Sequence, residues 1–238
     1  MNGTELIVRH SFAPNRLRYC GANDLSQKIP LFLQNHSADA EKELQSELKT
    51  FKGLYSYLSL IAAENSLKPF DEKVGESYWI GNELLEKVSP VSVRKMFLEK
   101  FSREDFWGKE LAQELSENLP KRFFAHHSFH VFFAHFFTKA VAVSPQTLDH
   151  CRISCGKILE THGNALTVEF EPLEFENGKL LLGKKREKQI ENAFLEKCEP
   201  EDWVSFHWNT FCMKLSEKQK QNLDFFTRFN LEAVNSLK

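Results

Sequence analysis

From about residue 37 to residue 143 the apolar positions recur every three or four residues, the spacing of one helical face. In SADAEKELQSELKTFKGLYSYLSLIAAEN, Leu44, Leu48, Phe51, Tyr55, Leu58 and Ala62 fall on one stripe, with Glu and Lys opposite. Pro69 and Asp71 predict a break and a cap before DEKVGESYWIGNELLEKV. Ser89-Pro90 interrupts again, and Ser102 with Asp105 resembles a capping box. Pro120 precedes KRFFAHHSFHVFFAHFFTKAV, whose Phe residues lie nearly all round the wheel and predict a central helix.

After SPQTLD the period changes from helical to alternating. ALTVEFEPLEF alternates apolar and charged residues, Asn177-Gly178 signals a hairpin turn, KLLLG reads as its partner strand, and DWVSFHW as a later one. KKREKQIENAFLEKCEPED is charged with sparse apolar residues, which fits a short helix or a solvated excursion between strands. Ser216 with Gln219 forms a capping box for a last helix that Leu223, Phe226 and Leu231 would pin to the rest. The pattern predicts an α+β fold, with a helical domain over 1–145 followed, over 146–238, by a small OB-like β-barrel with a C-terminal helix.

A chain of 238 residues with 42% hydrophobic content can bury a sizeable core. Its 31 Lys+Arg against 33 Asp+Glu leave a net charge of -2, so no field draws it to phosphate backbones or anionic bilayers, and neither nucleic acid nor membrane is expected as a partner. The first residues show no signal-peptide pattern, and no window approaches the roughly 18 apolar residues of a membrane span, which points to a cytoplasmic protein. Five cysteines, an odd number without C-x-x-C, fit reduced thiols better than a disulfide framework.

The candidate chemistry starts with AHHSFHVFFAHFF. At about 100° per helical residue, His126, His127 and His130 share one arc and His135 lies farther round. His126 and His130, at i and i+4, have spacing compatible with one zinc or iron ion. The plainer reading is a buried helix whose histidines bond backbone carbonyls or an acid such as Glu76. No Glu directly follows His126, so the H-E-x-x-H pattern is absent. Glu76, Tyr78, Trp79 and Asn82 form a polar and aromatic face, a pocket wall or a packing surface. If residues 151 to 155 are extended, at about 3.3 Å per residue the thiols of Cys151 and Cys155 stand some 13 Å apart, too far to share one ion. Arg16 and Arg18 precede Cys20 closely in sequence and would lower its thiol pKa if they were also close in space. Cys198 and Cys212 read as small hydrophobes. No phosphate loop, dinucleotide fingerprint or G-x-S-x-G elbow occurs.

Cys151-Arg152-Ile153-Ser154-Cys155-Gly156-Lys157, followed by GKILE, ALTVEF and Asp202-Trp203-Val204-Ser205-Phe206-His207, resembles the small HypC/HupF-type hydrogenase assembly chaperones over roughly residues 150 to 225. That family opens with a cysteine followed after three residues by Pro-Gly-Lys; here Cys155 takes the proline's place, Cys151 is internal, and ENGKLLLGKKREKQIENAF lengthens the middle. The resemblance implies that Cys151 and His207 hold an iron fragment destined for nickel-iron hydrogenase, and that the partner is a protein, a metalloenzyme precursor or maturation factor. A thiolate and an imidazole suit iron, with zinc the alternative. The whole chain also resembles an uncharacterised family that joins a helical half bearing H-H-S-F-H to such a domain.

The leading expectation is therefore an iron-binding maturation protein using Cys151 and His207. In its sharper form His126, His127 and His130 meet Cys151 in one mixed site. A metal-dependent enzyme centred on the histidine cluster and a metal-free docking module are the alternatives.

Overall fold

The computed structural model describes residues 1–21, 24–134 and 144–237. The first half is helical: α1 (Gly3–Arg16), α2 (Lys28–Asn35), α3 (Ala38–Leu48), α4 (Lys52–Glu64), α5 (Glu72–Trp79), a 3₁₀ turn (Glu83–Lys87), α6 (Pro90–Met96) running into a π turn (Phe97–Phe101), and α7 (Gly108–Glu117). The stripe from Leu44 to Ala62 is shared by two helices that break at Phe51, with Ser37 capping the first through Ala40 N–H at 3.2 Å. Ser102 and Asp105 lie in a turn, and α7 opens only at Gly108, whose φ of 77° a side chain would resist.

The predicted histidine helix begins later than its Phe pattern suggests. Residues 121–126 stay non-helical because Asn230 clamps them, accepting from Phe124 N–H at 2.8 Å and donating to Phe124 O at 3.0 Å. α8 (His127–Phe129) begins after His126, whose extended backbone and ring Nδ1, accepting from Ser128 N–H at 3.1 Å, make it the N-cap; a π turn (His130–Ala134) continues it. The expectation for His135 lies outside the described residues.

Ser144-Pro145 opens α9 (Pro145–Cys151), and strands follow: β1 (Ser154–His162), β2 (Ala165–Phe170), β3 (Leu173–Glu176), β4 (Lys179–Leu182), β5 (Arg186–Glu191), β6 (Trp203–His207) and β7 (Thr210–Lys214). Five of them close a barrel in the order β1-β2-β5-β7-β6, with β5 and β7 parallel, so the barrel is OB-like and β3-β4 is a hairpin inserted into it. The hairpin turns on Asn177 and Gly178, at φ 50° and 80°, as their pair predicts. Of the charged run KKREKQIENAFLEKCEPED, Arg186–Glu191 forms β5 and residues 192–202 are the irregular excursion that leads to β6; within β5 only Ile190 is fully buried, and it packs into the barrel core with Ile158, Val168, Phe206 and Phe211. α10 (Glu217–Asn235) closes the chain behind the Ser216 and Gln219 capping box.

The sequence pattern gave no sign of α1. Each residue from 3 to 15 is buried, polar ones included, so no amphipathic stripe exists to be read. α1 lies between α5 and the outer face of β6 and β7. Strand alternation turns Val204 and Phe206 into the barrel and Ser205 and His207 out toward α1, which is why β6 is buried on both faces. The main hydrophobic core runs across residue 145, joining Ile7, Tyr78 and Phe129 to Leu180, Met213 and Phe226.

Candidate metal centre

Three elements bring their ends together under α1. Cys151 is the last residue of α9, His207 the last of β6, and His127 the first of α8. Each places a ligand atom within 4.8 Å of the other two. Cys151 is fixed by its neighbours: Asp149 and Arg152, both buried, pair at 2.9 Å, Asp149 also accepts from Leu173 N–H at 2.8 Å, and Arg152 caps α9 as the chain turns into β1. Cys151 is therefore helical rather than extended, while Cys155 on β1 lines a separate crevice with Arg152, Leu223 and Asp224.

The polar contacts of His207 define the site. Its Nδ1 is 2.6 Å from the carbonyl oxygen of His10, and its Nε2 is 2.7 Å from the carbonyl oxygen of Cys151. Burial pulls its pKa down to about 4, with the two backbone contacts opposing, so near pH 7 the ring carries one proton between two acceptors. With Nδ1–H donating to His10, the Nε2 lone pair faces an oxygen at hydrogen-bond distance with no proton between them. A cation bound by Nε2 takes up that lone pair. His127 points its Nε2 at the same oxygen, 2.9 Å away, and its Nδ1 meets the Tyr78 hydroxyl at 3.1 Å. Each imidazole thus turns one nitrogen to the centre and holds an orienting partner with the other, the arrangement that fixes tautomer and ring angle in metal sites.

Burial also keeps the centre neutral. It drives His127 well below its ordinary value, with His207 and His130 adding to the effect, and drives the Cys151 thiol well up, with Cys20 nearby adding to that. Binding an ion would reverse the thiol's preference, since a coordinated thiol is deprotonated. Trp79 packs against both rings, at 4.5 Å from His127 and 5.8 Å from His207.

The residue types thus suit an ion of the zinc or iron kind: two imidazole nitrogens and one thiol, an incomplete tetrahedral set. The whole chain, residues 1–238, matches a family described as a family of unknown function, DUF6390. The chain belongs to that family. No curated protein and no solved structure matches it. Among the described residues, no helix of this DUF6390 chain is long and apolar enough to cross a membrane.

Of the expected site residues, Cys151, His207 and His127 come together. His130 stands next to them, its ring 6.4 Å from that of His127. His126 turns away toward Ser128 and Phe226, because as N-cap it leaves the helical arc, and burial lowers it to about 3. Glu76 bonds Asn82 and Gln219 and, among the described residues, no histidine, tying α5 to α10. Arg16 and Arg18 are engaged by Glu191 and Asp24, and Cys20 is an exposed residue whose thiol is shifted up rather than activated. Cys212 is buried and Cys198 packs against the barrel, as small hydrophobes do.

His10, Ser205 and Tyr78 complete the surroundings. The His10 ring donates from Nδ1 to Leu6 O at 2.9 Å and takes the Ser205 hydroxyl at Nε2, 3.1 Å away. Nothing in the pattern marked His10, since its helix was invisible. The centre forms the inner end of a cavity of about 350 Å³, lined also by Cys20, Phe51, Phe106, Trp107 and His130.

Proposed function

We propose that the protein holds one transition ion, iron or zinc, through Cys151, His207 and His127, and uses it where it stands. The observation that carries this is the His207 ring, which faces two carbonyl oxygens with one proton to share. The depth of the centre supports a resident ion over one in transit: Cys151 is 5% exposed and His207 1%, behind aromatic walls. Three protein ligands leave a position open, as catalytic zinc and iron sites do, so a metal-dependent enzyme is the reading we favour.

A maturation role is the second reading. It is favoured by the OB-like barrel and by the meeting of Cys151 with His207, the two positions that the resemblance to HypC/HupF-type chaperones singles out. In that role the ion would pass to a metalloenzyme precursor, with the helical half as the docking platform.

Metal content of anaerobically purified protein tests the centre. About one ion per chain is expected in the wild type after reconstitution with Fe²⁺ or Zn²⁺, and a loss in both Cys151→Ala and His207→Ala. Metal retained in Cys151→Ala would overturn the mixed site, and none in the wild type would overturn the metal reading altogether. Infrared bands of bound cyanide or carbon monoxide in the iron-loaded protein would decide for the maturation role.

A further inference from the structure

The cavity in front of the centre has a shape and a charge pattern of its own. Its volume of about 350 Å³ falls in the range of small-molecule sites. One wall is a set of nearly parallel rings: Phe106 and Trp107 lie 5.0 Å apart at 11°, and Trp107 faces the His130 ring at 6.1 Å and 8°. Phe51 and Trp79 also line it, the latter packed on the two histidine ligands. Such a lining suits a flat apolar body.

Charge narrows the choice further. Among the described residues that line the cavity none is Asp or Glu, so an ammonium group would find no counter-charge. The cationic side chain at the wall, Lys52, is already paired with Asp105 at 2.6 Å. A divalent ion with one thiolate and two neutral imidazoles keeps one net positive charge in a poorly solvated place, and a single negative charge on the open coordination position balances it.

We propose that this cavity binds a small aromatic monoanion, an aryl carboxylate or its like, with the ring against the Phe106–Trp107 wall and the anionic end on the ion. The inference rests on the metal reading above and adds the class of molecule that the centre acts on. His127, Cys151 and His207 all line this one cavity, so a molecule held in it would lie beside an ion bound by them. His130, its ring 6.4 Å from that of His127, also lines the wall.

Gly53 supplies the means to separate the two claims. It lies in the first turn of α4 and lines the cavity, and a Cβ added there meets His130 Nε2 at 3.5 Å and Phe106 Cζ at 3.8 Å, ordinary contact distances. A methyl group fits, and a larger side chain extends into the open space. Gly53→Leu should therefore keep its metal and lose its ligand.

The experiment titrates the zinc-loaded full chain with benzoate, phenylacetate and 3-phenylpropanoate, with benzylammonium as the cationic and benzyl alcohol as the neutral control, following tryptophan fluorescence. We expect at least one carboxylate to bind roughly tenfold or more tighter than both controls, and Gly53→Leu to weaken it by roughly tenfold or more with metal content unchanged. Equal binding of anion, cation and neutral probe, or undiminished binding in a metal-replete Gly53→Leu, overturns the ligand class and leaves the metal reading standing. Wild-type protein that takes up no metal removes both, and zinc titration read by metal analysis tells that case apart.

Discussion

The Nδ1 of His207 stands 2.6 Å from the carbonyl oxygen of His10, joining the end of β6 to the middle of α1. A backbone acceptor cannot be removed by substitution, but its counterpart at His127 can, because there the orienting group is the Tyr78 hydroxyl, 3.1 Å from Nδ1. Tyr78→Phe keeps the ring that packs at 5.3 Å from His127 and deletes only the oxygen. Metal affinity, measured by competition with a chromophoric chelator, should fall by about 10- to 100-fold with the far-ultraviolet dichroism unaltered. An unchanged affinity would mean that the hydroxyl does not orient the ligand.

The two cysteines of CRISC should behave as strangers. Cys155 lies in the crevice by Leu223 and Asp224, and Cys151 at the centre. Cys155→Ala is expected to keep full metal content, whereas Cys151→Ala loses it. A parallel loss in both would show that the thiols cooperate.

Acid should unfold the metal-free protein earlier than its surface groups require. Burial holds His10 and His126 at about 3 and His207 at about 4, while in the unfolded chain a histidine titrates near 6.5. Below 6.5 the unfolded chain takes up protons that the folded one refuses, so stability is complete above that pH and declines as pH falls toward 4. Each such histidine contributes up to about 1.4 kcal/mol per pH unit to the slope. Urea midpoints taken from pH 7.5 down to pH 5 should fall steadily, and a flat profile would contradict neutral burial.

Gly81, just after α5, has φ 96°, and a Cβ there would stand 2.0 Å from the Phe226 ring of α10. Its carbonyl also accepts from Asn222 at 2.9 Å. Gly81→Ala combines left-handed strain with overpacking against an aromatic ring and should destabilise by about 3 kcal/mol, read from chemical denaturation. A change under about 1 kcal/mol would mean that the α5–α10 seam repacks freely.

Local signals were enough for those elements whose cause is local. Ser216 with Gln219, Asn177 with Gly178, and the alternation of ALTVEF each act through neighbours in sequence, and each is found where the pattern put it. Cys151 and His207 were legible as a pair only through the resemblance of the segments around them to the HypC/HupF-type chaperones, and one lies at the end of α9 and the other at the end of β6. His127 was named in company with His126, and the two part because Asn230, about a hundred residues later, holds the preceding segment out of the helix. Such a constraint is tertiary and leaves no periodicity. α1 was missed for a related reason: Arg9 pairs with Glu5 and Glu196, and His10 with Ser205, so its polar residues are buried with partners instead of facing water. β5 was missed because most of its side chains point outward, and Ile190 alone could not mark a strand.

The centre draws on residues 10, 78, 127, 151 and 207, and the timing of synthesis follows from that spread. At about 5–20 residues per second, some 10 to 40 seconds separate the emergence of His10 from that of His207. Cys151 emerges after His127 but 56 residues before His207, so for about 3 to 11 seconds of that interval its thiol lacks the second imidazole. An ion held by all three groups would thus be acquired by a chain whose last barrel strands have already closed, and a nascent chain stalled before β6 should be unable to compete for it.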